Sequence, residues 1–308
     1  MGIMSSGPRR FLATNYCMNP SIIYDAIAGK LRIWYNQKTD LAATAVNMYH
    51  IESADFGSTW SAPQLLRTLS YGFGCSVIDE GVAGPERFKN AYWFQGVGGV
   101  NGVYLATSSD GLAWTPTTNP MVRPQWTGSQ AGDIVDTFKN PLTGGYGCWL
   151  KQMPPDGIRR FNLRVSTQFS NPDSWSVELG TQLTGIGTRV VYPDAMDYFD
   201  TQFYGITGPI LVDGALLFFI RVMRDDVGTG IGYTTLGWSF DGGRSIIRHR
   251  EPFMVGRLGT PDQTHTWVYG ACVHDGTLYL TYNAHDGGHK LGNRAVGFTT
   301  MPVSDLRM

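Results

Sequence analysis

Three aspartates, Asp133, Asp200 and Asp262, each stand just ahead of an apolar, strand-like stretch. Eight further side chains fall at matching places along the chain: Asn19, Gln202, Tyr204, Arg224, His265, Trp267, His285 and His289. By residue type this is a set for sugars. Cleaving a glycosidic bond takes one carboxylic acid to protonate the leaving oxygen and a second carboxylate as nucleophile or as base for water. Asp133, Asp200 and Asp262 are the candidates for that pair. The faces of Tyr204 and Trp267 can stack on sugar rings, and Asn19, Gln202, Arg224 and the three histidines can fix hydroxyls.

Other chemistries fit less well. The glycine-rich GVGGVNG (Gly96–Gly102) does not open a helix after a strand, as a phosphate cradle must, and reads as a β-turn. His265, His285 and His289 are zinc ligands by type, but no helix or cysteine partner sets their geometry, so no metal is assigned. A GxSxG nucleophile elbow is absent. The four cysteines form no CxxC pair, and three lie in apolar strand contexts, as buried thiols do.

The elements that must position these residues repeat. Five units share one grammar: Pro20–Ser61, Cys75–Pro116, Asp133–Val177, Tyr204–Ile246 and Trp267–Leu306. In each, an apolar strand meets a turn, an aromatic-rich strand follows, and a third strand comes after a loop. Strand–turn–strand units of about 40–50 residues are the mark of propeller blades. The expected fold is all-β: a five-bladed β-propeller with four-stranded antiparallel blades around a central axis. It occupies residues 1–308 as one domain, with blades at approximately 12–66, 67–124, 125–185, 186–255 and 256–308 and the N-terminal strand closing the last. The innermost strand of each blade then starts on the ligand face and ends in a turn on the opposite face. Asp25, Asp79, Asp213 and Asp275 sit in those far turns and read as turn formers. Asp55, Asp110 and Asp241 belong to Asp-box-like turns (Ser53–Trp60, Ser108–Trp114, Ser239–Ser245), which are scaffold devices.

The net charge of −1 offers no basic surplus for a phosphate backbone, so nucleic acid is not an expected partner. No apolar run approaches the roughly 20 residues that span a membrane. The opening MGIMSSGPRRF has no apolar core of a secretory signal, and the cysteines build no disulfide framework. These features point to a cytoplasmic or virion-associated setting over a secreted one.

Several segments together resemble the five-bladed propeller glycoside hydrolases of families 32, 43, 68 and 130 and their uncharacterised relatives. They are MNPSIIYDAIAGKLRIWYN, GVYLATSSDGLAW, AGDIVDTFKNPLTGGYGCWLK, DTQFYGITGPILVDG, REPF and TLYLTYNAHDGGHKLGNRAVGFTTMP, and they touch all five units. The resemblance implies a glycoside hydrolase acting on an oligo- or polysaccharide, without cofactor beyond a structural calcium that such folds can hold on the axis. The family's mid-chain Gly-Asp matches Gly132-Asp133. Its aspartate before proline in the first unit is Asn19 here, and the aspartate that relatives show at FYGI is Gln202, with Asp200 two residues earlier. The final histidine loop matches His285 to His289, which in such relatives binds substrate or phosphate. The alternatives are a carbohydrate-binding propeller without catalysis, which Asn19 and Gln202 favour, and a sugar phosphorylase. A sialidase-like enzyme, suggested by the Asp-box-like turns, is a poorer match at Pro8–Phe11.

Overall fold

The computed structural model describes residues 8–40, 42–70, 72–95, 101–121, 134–152, 160–177, 190–191, 197, 201–224, 230–289 and 291–306. Among them regular structure is almost all strand, with two single-turn 3-10 helices, Pro172–Ser174 and Val303–Asp305. Among the described residues no helix is long and apolar enough to cross a membrane.

The strands follow the chain in antiparallel runs. After β1 (Arg10–Ala13), the first run is β2 (Cys17–Asp25), β3 (Lys30–Gln37), β4 (Ala45–Ser53) and β5 (Gln64–Ser70). The second is β6 (Gly72–Asp79), β7 (Phe88–Gln95), β8 (Asn101–Ser108) and β9 (Thr115–Pro116). In the next sheet, β10 (Val135–Lys139), β11 (Tyr146–Gln152) and β12 (Arg160–Ser166) carry β13 (Ser176–Val177) and β14 (Val190–Val191) on one edge. An eight-stranded sheet completes the set. Its first half is β15 (Thr201–Val212), β16 (Ala215–Arg224), β17 (Ile231–Ser239) and β18 (Ile247–Arg248). Its second half is β19 (His265–His274), β20 (Thr277–His285) and β21 (Arg294–Pro302), with β1 added beside β21. One parallel pair, Gly232 with His265, joins the halves.

The strands β2, β6, β10, β15 and β19 pack on one another in a cycle that returns from β19 to β2. Among the described residues five apolar clusters fill the ring, four between successive sheets and one between the two halves of the eight-stranded sheet, from Trp34 with Phe88 round to Tyr35 and Ile33 with Val296 and Phe298. This burial on both faces explains second strands such as ALLFFIRVMR in β16, where nine of ten residues are buried. A strand covered on both sides reads as a continuous apolar run, without alternation. The ring is tied by β1: Arg10 pairs with Phe298 of β21 and donates from Nη1 to the carbonyls of Gly57 (2.8 Å) and Ser58 (2.7 Å) in the first run.

The turns follow local chemistry. Asp213-Gly214 and Asp275-Gly276 all have positive φ, the requirement of a two-residue hairpin turn matched to strand twist. At Ser53–Thr59, Asp55 Oδ1 accepts from Ser53 Oγ (2.7 Å) and Thr59 N (2.8 Å), while Gly57 N donates to Ser53 Oγ (2.7 Å). The turn at Ser239–Ser245 repeats this pattern around Asp241. Asp25 and Asp79 also close turns, but Arg87 bridges the two carboxylates, so these turns are stitched together as well as formed.

Candidate functional site

Four of the five inner strands break register at one level. The β2–β3 pairing skips Asn19 and Pro20, β6–β7 skips Gly74 and Cys75, β15–β16 skips Tyr204, and β19–β20 skips Tyr269. Bulges of this kind re-aim the residues they skip. Asn19 (φ 52°) and Gly74 (φ 110°) take the left-handed backbone region within their bulges. Asn19, Pro20, Gly74, Cys75 and Tyr269 line a narrow axial cavity with Ser76 and Ile134–Asp136. It measures only about 10 Å³, far less than a sugar ring needs. A wider cavity of about 190 Å³ continues toward the turn-bearing ends of the strands.

Asp136 and Tyr269 line both cavities, and a buried arginine meets them from the second strand of the neighbouring sheet. Arg221 is fully buried and donates from Nη2 to Asp136, itself 3% exposed. It also donates from Nη1 to Thr207 Oγ1 (3.1 Å), and its guanidinium stands 3.7 Å from the ring centre of Tyr269. Burial pushes the Asp136 carboxyl up, while Arg221 pulls the other way. Gly205 is opposite: a Cβ there would enter the guanidinium. Sequence reasoning missed this pair. Its signal was available, because a charged residue inside a fully apolar strand such as β16 is buried only when paired.

A second cluster forms at the start of β19. His265 and His285 face each other across the β19–β20 ladder, with ring centres 4.4 Å apart. His289 comes in from the following loop, and its Nε2 shares a 2.7 Å hydrogen bond with the Tyr204 hydroxyl. Tyr204 stacks on Trp267 at 4.4 Å and 10°. Trp267 Nε1 donates to the Val222 carbonyl (2.8 Å). Lys151 Nζ lies 5.6 Å from the Tyr204 ring centre, and Arg294 Nη2 donates to the His289 carbonyl (2.7 Å). Burial and the Arg294 charge hold His265 low, at about 3, and His285 well below the usual imidazole range.

The structure therefore brings Tyr204, His265, Trp267, His285 and His289 together, and places Gln202 and Arg224 near them on β15 and β16, where Gln202 pairs with Met223 and Thr201 with Arg224. Asn19 joins through its backbone N–H, which donates to Asn283 Oδ1 (2.8 Å). For two of the expected site residues the surroundings are closed. Trp267 is 1% exposed, so its face is given to Tyr204 and is not open as a sugar platform. Asp262 has no exposed surface: Arg9 Nη1 sits 2.6 Å from its Oδ2, Tyr282 donates to the same oxygen (3.2 Å), and Thr260 donates to the other. Its Arg9 partner comes from the N-terminal segment, 253 positions away in sequence. Asp133 and Asp200 lie outside the described residues.

The sequence matches no family model and no curated protein. Solved structures do match. A thermostable family-43 glycoside hydrolase superposes with a TM-score of 0.66 at 12% identity, over 94% of this chain and 90% of that one. The endo-arabinase of Bacteroides thetaiotaomicron VPI-5482 gives 0.60 at 13% identity, over 94% and 95%. The β-1,2-mannobiose phosphorylase of Listeria innocua, complexed with β-1,2-mannobiose, gives 0.59 at 10% identity, over 99% and 94%.

The chain has the fold of the propeller glycoside hydrolases. At these identities the likeness concerns the fold alone. In that fold the first strands of the sheets face one another, as β2, β6, β10, β15 and β19 do here, and the Asp136–Arg221 pair links two of their sheets.

Proposed function

We propose that this protein is a five-bladed propeller that binds an oligo- or polysaccharide at the end of the axis where the inner strands start, and cleaves a glycosidic bond there. The closed cycle of five inner strands, and the five apolar clusters that separate the strand runs they begin, support the blade count. The observation that carries the functional reading is the repeated bulge, which turns Asn19, Gly74, Tyr204 and Tyr269 away from their ladders at one level. The structural neighbours act on or bind sugars by their descriptions, including an endo-arabinase and a family-43 enzyme complexed with xylose.

Asp133 and Asp200 are the carboxylates assigned to the acid and its partner, with Asn19, Gln202 and Arg224 as hydroxyl ligands. Asp262 is assigned to structure. The axial cavity is too small for a sugar, so the ring sits outward of Asn19 and not within the channel.

A second reading, a carbohydrate-binding propeller without turnover, draws on one observation. The carboxylate that lines the described axial cavity, Asp136, is already committed to Arg221. The test is turnover of a broad glycan panel, with and without phosphate, by wild type and Asp133→Asn. Product release that collapses in the variant supports hydrolysis, or phosphorolysis if phosphate is required. Binding without release in the wild type supports the second reading.

A further inference from the structure

We propose that His265, His285 and His289 form a tris-imidazole site for one divalent transition-metal ion of the zinc, nickel or copper class. All three side chains are buried, and each offers a ligand nitrogen within 4.8 Å of the other two. Three points so spaced lie within about 2.8 Å of a common centre, against the 2.0–2.1 Å of a zinc–imidazole bond. Binding therefore requires the three rings to move inward by the difference.

Two features point to a ligand. His265 is held by Thr264 Oγ1 at Nδ1 (3.0 Å), and its Nε2 is buried without a hydrogen-bond partner. Both nitrogens of His285 are likewise buried without one, on a side chain with no exposed surface. Buried polar atoms are normally satisfied, and leaving one bare costs about 1–3 kcal/mol. A metal ion would engage these nitrogens together. The surroundings have the form of an outer ligand shell. Thr264 orients His265, Tyr204 orients His289, and the stacked Tyr204–Trp267 pair walls the site. Arg294, which donates to the His289 carbonyl, places a positive charge beside the site that opposes a dication and that three imidazole bonds must outweigh.

The donor set selects the ion class. Imidazole nitrogens suit zinc, copper and nickel, whereas calcium and magnesium require oxygen ligands. This site is therefore different in kind from a structural calcium. The inference is independent of the glycan reading, since it is read by metal binding and not by turnover.

The experiment strips the full-length chain with chelator and titrates Zn²⁺ calorimetrically. One equivalent per chain is expected, with at least a tenfold loss of affinity in His285→Gln. X-ray absorption at the zinc edge of the wild type gives a readout that needs no variant, and nitrogen scattering with imidazole features at about 2.0–2.1 Å is expected. Absence of stoichiometric binding overturns the proposal. So does a spectrum of sulfur or only oxygen ligands, or a folded His285→Gln that binds zinc as the wild type does.

Discussion

Arg221 on β16 donates to Asp136 on β10, 85 positions away in sequence, and joins two sheets at the axis. Removing one partner of a buried pair leaves an uncompensated charge or donor, which costs about 3–5 kcal/mol. Arg221→Met or Asp136→Asn should therefore lower the unfolding free energy by that order. The Arg221→Met/Asp136→Leu double variant should recover part of the loss. Urea unfolding of the three variants measures it, and a single-variant loss below about 1 kcal/mol would remove the pair from the list of stabilising contacts.

Gly205 is coupled to the same pair. Its missing side chain leaves the space that the Arg221 guanidinium fills. Gly205→Ala should cost about 1–3 kcal/mol through overpacking in the wild type, and clearly less in the Arg221→Met background. A double-mutant cycle by denaturant unfolding checks this, and equal costs in both backgrounds would contradict it.

Asp262 and Asp133 should separate cleanly. Asp262→Asn weakens the enclosed contact with Arg9 and should cost a few kcal/mol of stability, with glycan turnover per folded molecule retained. Asp133→Asn should leave the melting temperature near that of the wild type and abolish turnover. Thermal melts paired with the glycan assay decide it. Lost turnover in a fully folded Asp262→Asn would return that residue to the chemistry.

His50 sets an acid limit. It is 4% exposed and accepts from Arg32 Nε at its Nε2 (3.1 Å), and burial, reinforced by Arg32, depresses it to about 4. A depressed imidazole contributes stability that is present above the unfolded value near 6.5 and lost as pH falls through 4. The gap corresponds to roughly 3 kcal/mol at most. His50→Gln should flatten the fall in stability between pH 6.5 and 4 relative to wild type. Unfolding free energies at three pH values across that window give the comparison, and parallel curves would refute it.

The sequence by itself determined the all-β character, the apolar second strands and the turns. Asp213-Gly214 and Asp275-Gly276 demand their hairpins through backbone sterics, and Ser53 with Asp55 closes its own turn, so these features need no distant partner. The facing of His265 and His285 was nearly within reach too, because a hairpin closed at Asp275-Gly276 sets their register. What only the tertiary structure decided was which charged groups remain open to a ligand. Asp262 carried the right residue type in the right place, yet Arg9 arrives from the other end of the chain and encloses it. Asp136 is one polar residue within a short strand, and only the closing of the ring sets Arg221 against it. The bulges at Asn19, Gly74, Tyr204 and Tyr269 each insert one extra residue and so flip the two-residue alternation, and period alone cannot say which side chain meets the axis. Burial and pairing are properties of the closed ring, and no local stretch of the chain encodes them alone.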